Sequence, residues 1–213
     1  MDTDPTDVPR DDDEDAYLDK SASAGRMGKA VEYLVAAACI LSTRGELNVS
    51  TSIVDDEGVD LVFHRRDSSA TLAVQVKARM SDSKRVRSGG FVAFVRSQTF
   101  RARVDLDMLF VAVDIERGAV MKAWLVPSEE YAAAVGQPNS RGRFRFVASM
   151  KDGTKDRWAS RRLEAHELAP AILGGSPPSK PPGSSGAALS RGHRRPNGGR
   201  DTPATPSEDR LPA

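Results

Sequence analysis

Leu72-Ala-Val-Gln-Val-Lys-Ala78 is the stretch whose reading decides the fold. Side chains alternate along a strand, so Leu72, Val74 and Val76 share one face and Ala73, Gln75 and Lys77 the other. The first face is core. The second presents an amide and an ammonium side by side on a sheet. A half-exposed strand with a solvated face reads the same way in isolation, so the neighbouring segments have to decide.

Upstream, Gly58-Val-Asp-Leu-Val-Phe63 is apolar except for Asp60, which falls just after the turn Asp55-Asp-Glu-Gly58. Aspartate is disfavoured in strands, and one placed there needs a reason. One reason is local, a hydrogen bond to a nearby backbone N–H. The other is chemical. Strands over Val59–His64 and Thr71–Ala78, joined by a hairpin at Arg66-Asp-Ser-Ser69, place Asp60 near Gln75 and Lys77 on one sheet face. A carboxylate, an amide oxygen and an ammonium brought together can hold Mg²⁺ and a water beside a phosphate, because Mg²⁺ takes oxygen ligands and keeps several waters.

Working outward, Met27, Val31, Leu34, Val35 and Ala38 recur at helical spacing, which predicts a helix over about Gly25–Thr43 with Ser23 as its cap and Gly45 as its stop. Glu32 lies beside that apolar stripe. It is either an ordinary surface glutamate or, if the helix packs next to the hairpin, a fourth member of the cluster. Asn48–Val54 alternates as a strand. The segment Arg79–Gly90 reads as a basic polar loop, Phe91–Val95 as a short strand and Ser97–Val104 as a short helix. Asp107–Asp114 is apolar enough to be a central strand, with Ala119–Val126 as its hairpin partner. Pro127 opens a helix over Ser128–Val135, a strand follows near Phe144–Val147, and a helix near Leu163–Leu173 closes the domain. This order predicts an α/β fold, a mixed sheet flanked by helices.

The two ends differ from the middle. Residues 1–20 carry nine Asp/Glu against two Lys/Arg, and residues 174–213 carry three against six amid Pro, Gly and Ser, which leaves +5 for residues 21–173 out of a whole-chain net charge of +1. The ends are expected to be disordered tails and residues 21–173 the folded domain. A mildly basic domain suits a polyanionic partner. The single cysteine, Cys39, sits in an apolar run and reads as a small buried side chain. The three histidines are far apart and show no zinc spacing. No apolar run approaches the ~20 residues of a membrane span, and the acidic start is unlike a secretory signal. A cytoplasmic protein with no membrane partner is expected.

The order of a helix glutamate (Glu32), Gly58-Val-Asp60 at a strand start and Gln75-Val-Lys77 within a strand resembles the PD-(D/E)XK nuclease superfamily. The glutamine form is similar to Mrr-type restriction endonucleases, and Gly25-x-x-Gly28-x-x-x-Glu32 ahead of the hairpin is similar to archaeal Holliday-junction resolvases. The likeness spans about residues 25–130. It implies a restriction-endonuclease-like sheet and a metal-dependent endonuclease hydrolysing DNA in restriction, repair or junction processing. It also implies roles. Asp60 would be the central metal ligand, and Gln75 would replace the usual acidic ligand with the Val76 carbonyl nearby. Glu32 would hold a water or second metal, and Lys77 would orient the attacking water and stabilise developing charge. The implied cofactor is Mg²⁺, with Mn²⁺ able to substitute. The implied partner is double-stranded or branched DNA, and cutting both strands would suit a homodimer. Gln75 is neutral, so this site is expected to bind Mg²⁺ more weakly than a Glu-x-Lys site, and Val59 stands where the family name has proline.

Arg79, Lys84, Arg85 and Arg87 follow the Lys77 strand, with Arg96, Arg101 and Arg103 soon after, and these are the expected phosphate contacts. No helix-turn-helix or zinc finger is present to read bases, so backbone and shape are the expected targets. Two other classes stay open: a catalytically silent nucleic-acid-binding module, and an interaction protein whose strand polar residues are merely solvated.

Overall fold

A computed structural model describes residues 22–51 and 58–174. The expected tails at residues 1–20 and beyond Gly174 lie outside the described residues, as does most of the turn before Gly58. Helix α1 (Ala22–Ser42) buries Val31, Val35 and Cys39, four residues apart along one stripe. It already includes Ala22, so Ser23 lies inside its first turn rather than capping it. It ends as expected at Gly45, whose N–H donates to the Ile40 carbonyl at 2.9 Å with φ at 81°, a left-handed stop that glycine takes without strain.

Strands β1 (Leu47–Thr51), β2 (Leu61–Arg65) and β3 (Thr71–Met80) form an antiparallel meander. A one-turn helix α2 (Lys84–Arg87) and strand β4 (Gly90–Arg96) follow. The chain then crosses back, and β5 (Leu106–Asp114) pairs parallel to β3. Strand β6 (Ala119–Pro127) returns antiparallel to β5 and leads into α3 (Ser128–Val135), β7 (Arg143–Ser149), β8 (Arg162–Glu164) and α4 (Leu168–Gly174). The six-stranded mixed sheet has the order β1-β2-β3-β5-β6-β8, and β4 pairs with β7 in a separate two-stranded ribbon. The architecture is the expected α/β class, a mixed sheet flanked by helices.

The sheet is filled on both faces. On one, Leu61, Phe63, Val74, Val76, Leu109, Val111 and Leu125 meet α1 and α4 in an aliphatic layer. On the other, Met108, Phe110, Trp124 and Val126 meet the β4–β7 ribbon and Tyr131 of α3 in an aromatic layer. The Phe110 and Phe146 rings stack with centroids 3.7 Å apart, and Phe91, Trp124 and Tyr131 pack around them. Such ring pairs contribute about 0.5–1.5 kcal/mol each beyond the area they bury.

Three local expectations fail. The basic "loop" is mostly regular: β3 runs on to Met80, and Ser83 Oγ accepts from the Val86 N–H at 3.3 Å to start α2. Residues 97–104 turn instead of forming a helix. Phe100 is drawn into the aromatic layer, and Arg101 Nη1 donates to the Ser97 and Phe100 carbonyls, so the segment follows its anchor rather than a helical ladder. The last helix begins at Leu168, because Leu163 pairs with Ala123 as an edge strand.

Candidate active site

The β2–β3 hairpin builds the centre of the site. The Asp60 N–H donates to the Val74 carbonyl at 2.9 Å, which extends the ladder one residue before β2. Leu61 partners Val74 in the register, so Asp60 lies opposite Gln75. Its side chain turns back to the same strand, where Oδ2 accepts from the Val76 N–H at 2.6 Å. Asp60 therefore does what the bland reading required of it, and it does so on the face that also carries Gln75 and Lys77. In the parallel pairing, Gln75 partners Met108 and Lys77 partners Phe110, residues of the aromatic layer. The polar column thus borders a dry core.

Gln75 is 4% exposed, and its Oε1 has no hydrogen-bond partner. A buried amide oxygen left unpaired costs about 1–3 kcal/mol. Gly58 makes room for that amide: a Cβ there would stand 2.6 Å from Gln75 Nε2 and 3.1 Å from the Thr99 carbonyl, and its φ is 70°. Glycine meets both demands at once.

Helix α1 supplies the opposite wall. Glu32 accepts from Lys29 Nζ at 2.6 Å, and its side chain is only 14% exposed. The hydrogen bond to Glu32 holds the Lys29 ammonium above its ordinary pKa, with the Asp60 charge adding to it and slight burial opposing it. Gly25 and Gly28 border the same cleft, and a Cβ at either would meet open space. Glycine inside a helix costs about 0.5–1 kcal/mol relative to alanine, so both weaken the helix where it lines the cleft.

Glu32, Asp60, Gln75 and Lys77 all line one cleft of about 680 Å³. Among the described residues, no group of three or more His, Cys, Asp or Glu converges on a metal position. The donor set here is two carboxylates and the unpaired amide oxygen of Gln75. Oxygen donors of this kind fit Mg²⁺ or Mn²⁺ and not a zinc site. The set carries two carboxylates rather than three acidic groups, because Gln75 is neutral.

The expected basic contacts divide. Arg96 lines the cleft and is exposed. Arg79 also lines it, but its Nε donates to the Val92 carbonyl at 2.6 Å, so it ties the ribbon to β3 instead of standing free in a loop. Lys84 and Arg87 are exposed on α2, and Arg85 packs along the backbone at Gly90; none of the three is among the lining residues. Arg101 turns to local carbonyls and Arg103 to Asp105 at 2.9 Å, and both lie outside the cleft. Lys29 and Arg143 line the cleft and were not anticipated. The signal for Arg143 was present in Arg141-Gly-Arg-Phe-Arg-Phe146, which alternates arginine with aromatic residues. The tie between Lys29 and Glu32 had a weaker signal, a spacing of three along a helix.

Burial pushes the Cys39 thiol up to about 12, which makes it an inert core group. No helix among the described residues is long and apolar enough to cross a membrane.

No family model matches the chain, and neither does any curated protein. Among solved structures, a bacterial homing endonuclease aligns over 70% of this chain and 94% of its own, at 19% identity and a TM-score of 0.44. A likeness at that score assigns neither family nor function.

Proposed function

We propose that this chain is a metal-dependent endonuclease of the PD-(D/E)XK type that hydrolyses DNA phosphodiester bonds. The observation that carries the proposal is the placement of Asp60, Gln75 and Lys77 on one face of adjacent strands, with Glu32 across the same cleft and the Gln75 oxygen buried and unpaired. A buried polar atom without a partner calls for an explanation, and a ligand, water or ion in the cleft supplies one for Gln75. Two glycines on the cleft side of α1, both unfavourable for the helix, fit a wall that must leave space for a substrate.

In this reading Asp60, held in place by the Val76 N–H, and Gln75 supply the oxygen atoms that hold a Mg²⁺ or Mn²⁺ ion, with Glu32 orienting a water from the opposite wall. A divalent cation there would polarise a phosphoryl oxygen and lower the pKa of a coordinated water. Lys77 places an ammonium beside the scissile phosphate and donates to the oxygens on which charge develops. Lys29 pairs with Glu32 at 2.6 Å and adds a cation to the cleft. The dry aromatic layer behind Gln75 and Lys77 lowers the local dielectric, so these charges act more strongly than they would in water.

A second reading rests on a specific residue. With Gln75 in the acidic position the site carries one charge fewer than a Glu-x-Lys site, and a fold that binds nucleic acid without cutting it would tolerate that change. Incubating the purified chain with supercoiled plasmid and with branched DNA, in Mg²⁺, Mn²⁺ or EDTA, separates the two. Nicked or linear product with a divalent ion and none in EDTA is the expected result. DNA bound but never cut, with either ion, establishes the silent module instead.

A further inference from the structure

The β4–β7 ribbon has two unlike faces. Phe91, Ala93, Val95, Phe146 and Ala148 enter the aromatic layer. The strand period sends Phe94, Arg96, Arg143 and Arg145 to the other face. The register sets Arg96 directly opposite Arg143, and Phe94 opposite Arg145. Like charges placed opposite each other on a strand pair repel. The same placement attracts an anion that spans both. Phe94, Arg96 and Arg143 line the cleft that holds Asp60, Gln75 and Lys77. The ribbon is also fixed relative to that centre, because Arg79, two residues beyond Lys77, donates to the Val92 carbonyl at 2.6 Å.

We propose that the Arg96–Arg143 end of this second face of the ribbon is a phosphate clamp, in which the two guanidinium groups grip oxygens of the phosphates beside the one presented to Lys77. Its ligand, the backbone of a DNA strand, rests on the hydrolase reading of the same cleft. Guanidinium forks suit phosphate oxygens and make two parallel hydrogen bonds where an ammonium acts as a point charge. The clamp reads no base, which agrees with the absence of any base-reading module in the sequence. It also shifts the binding surface from the α2 segment to the ribbon, since Lys84 and Arg87 are exposed and are not among the residues that line the cleft.

The test is the binding of a short labelled DNA duplex, in EDTA and over a salt series, by the full chain, by Arg96→Gln, by Arg143→Gln, by the double variant and by the corresponding Lys variants. Each phosphate contact contributes about 0.9 to the slope of log affinity against log salt. The double Gln variant should lose about 1.8 of that slope, two such contacts. The Lys variants should keep it, which a merely structural role for the arginines would not predict. A folded double Gln variant that binds with wild-type affinity and slope overturns the clamp and leaves the hydrolase reading intact, since plasmid cleavage tests that separately. If the double variant does not fold, the exposed Arg96→Gln change decides alone, and an unchanged slope overturns the clamp. A wild-type chain that binds no duplex at any salt concentration also overturns the clamp, while plasmid cleavage decides the hydrolase reading.

Discussion

Strands β3 and β5 lie side by side and parallel, partnered from Ala73 with Leu106 to Met80 with Val113. Strand β5 is buried at every position except Asp114, apolar on both faces except for Asp107 near its start. Strand β3 matches it only on the helix-covered face, where Val74 and Val76 join the aliphatic layer. On the other face Met108, Phe110 and Ala112 stand beside Gln75, Lys77 and Arg79. One column of the sheet is therefore core and the next is polar, with Gln75 buried and Lys77 and Arg79 half-buried. A polar column at a solvent surface needs no explanation. One whose amide is 4% exposed beside a stacked aromatic layer does. On the proposed function, β3 gives up packing at this face in favour of placing chemical groups.

Emptying the β5 side should have the largest effect. Phe110→Ala removes a ring that packs on Phe91, Tyr131 and Phe146 and should cost about 3–5 kcal/mol, measured by denaturant unfolding. A loss below about 1 kcal/mol would mean that the aromatic layer is not the rigid backing that the β3 column is argued to lean on.

Gly58→Ala attacks the junction between the two columns. The new Cβ would stand 2.6 Å from Gln75 Nε2 at a φ of 70°, so the amide must move and the backbone is strained. Expected are a stability loss of about 1–3 kcal/mol and a drop in metal-dependent cleavage larger than that loss explains. Unchanged cleavage would show that the position of the Gln75 amide does not matter.

The smallest stability effect, and the sharpest comparison, comes from making β3 resemble β5. Gln75→Met replaces a buried amide with an unpaired oxygen by an apolar chain of similar length, which should leave stability within about 1 kcal/mol of wild type or raise it. Cleavage should be lost. A clear destabilisation would mean that the amide has a structural role and that the polar column is ordinary architecture.

Much of this contrast was legible in advance. The period-two pattern of residues 72–78 separated the Val74 face from the Gln75 face, and the short hairpin brought Asp60 beside them. The apolar run Asp107–Asp114 announced a central strand. What the sequence withheld was long-range pairing. A period of two identifies β4 and β7 as strands, but not that they leave the main sheet and pair only with each other. Their departure closes the aromatic layer and brings Arg96 and Arg143 to the cleft. The misread helix over residues 97–104 has the same cause, since Phe100 obeys a tertiary anchor that no local propensity encodes. The loop placement of Arg79 fails for the same reason, since β3 runs on to Met80 and the Arg79 partner, the Val92 carbonyl, belongs to that ribbon.

The central claim is that the β3 polar column performs phosphodiester hydrolysis, and single-turnover cleavage of plasmid DNA by wild type and Lys77→Ala, both at saturating DNA with Mg²⁺, tests it most directly. Lys77→Ala should bind DNA nearly as well as wild type, because Lys77 is one cation among several in the cleft. Its cleavage rate should fall by about 10²–10³, the usual cost of removing a donor aimed at developing charge. A Lys77→Ala variant that cuts at the wild-type rate would contradict the account.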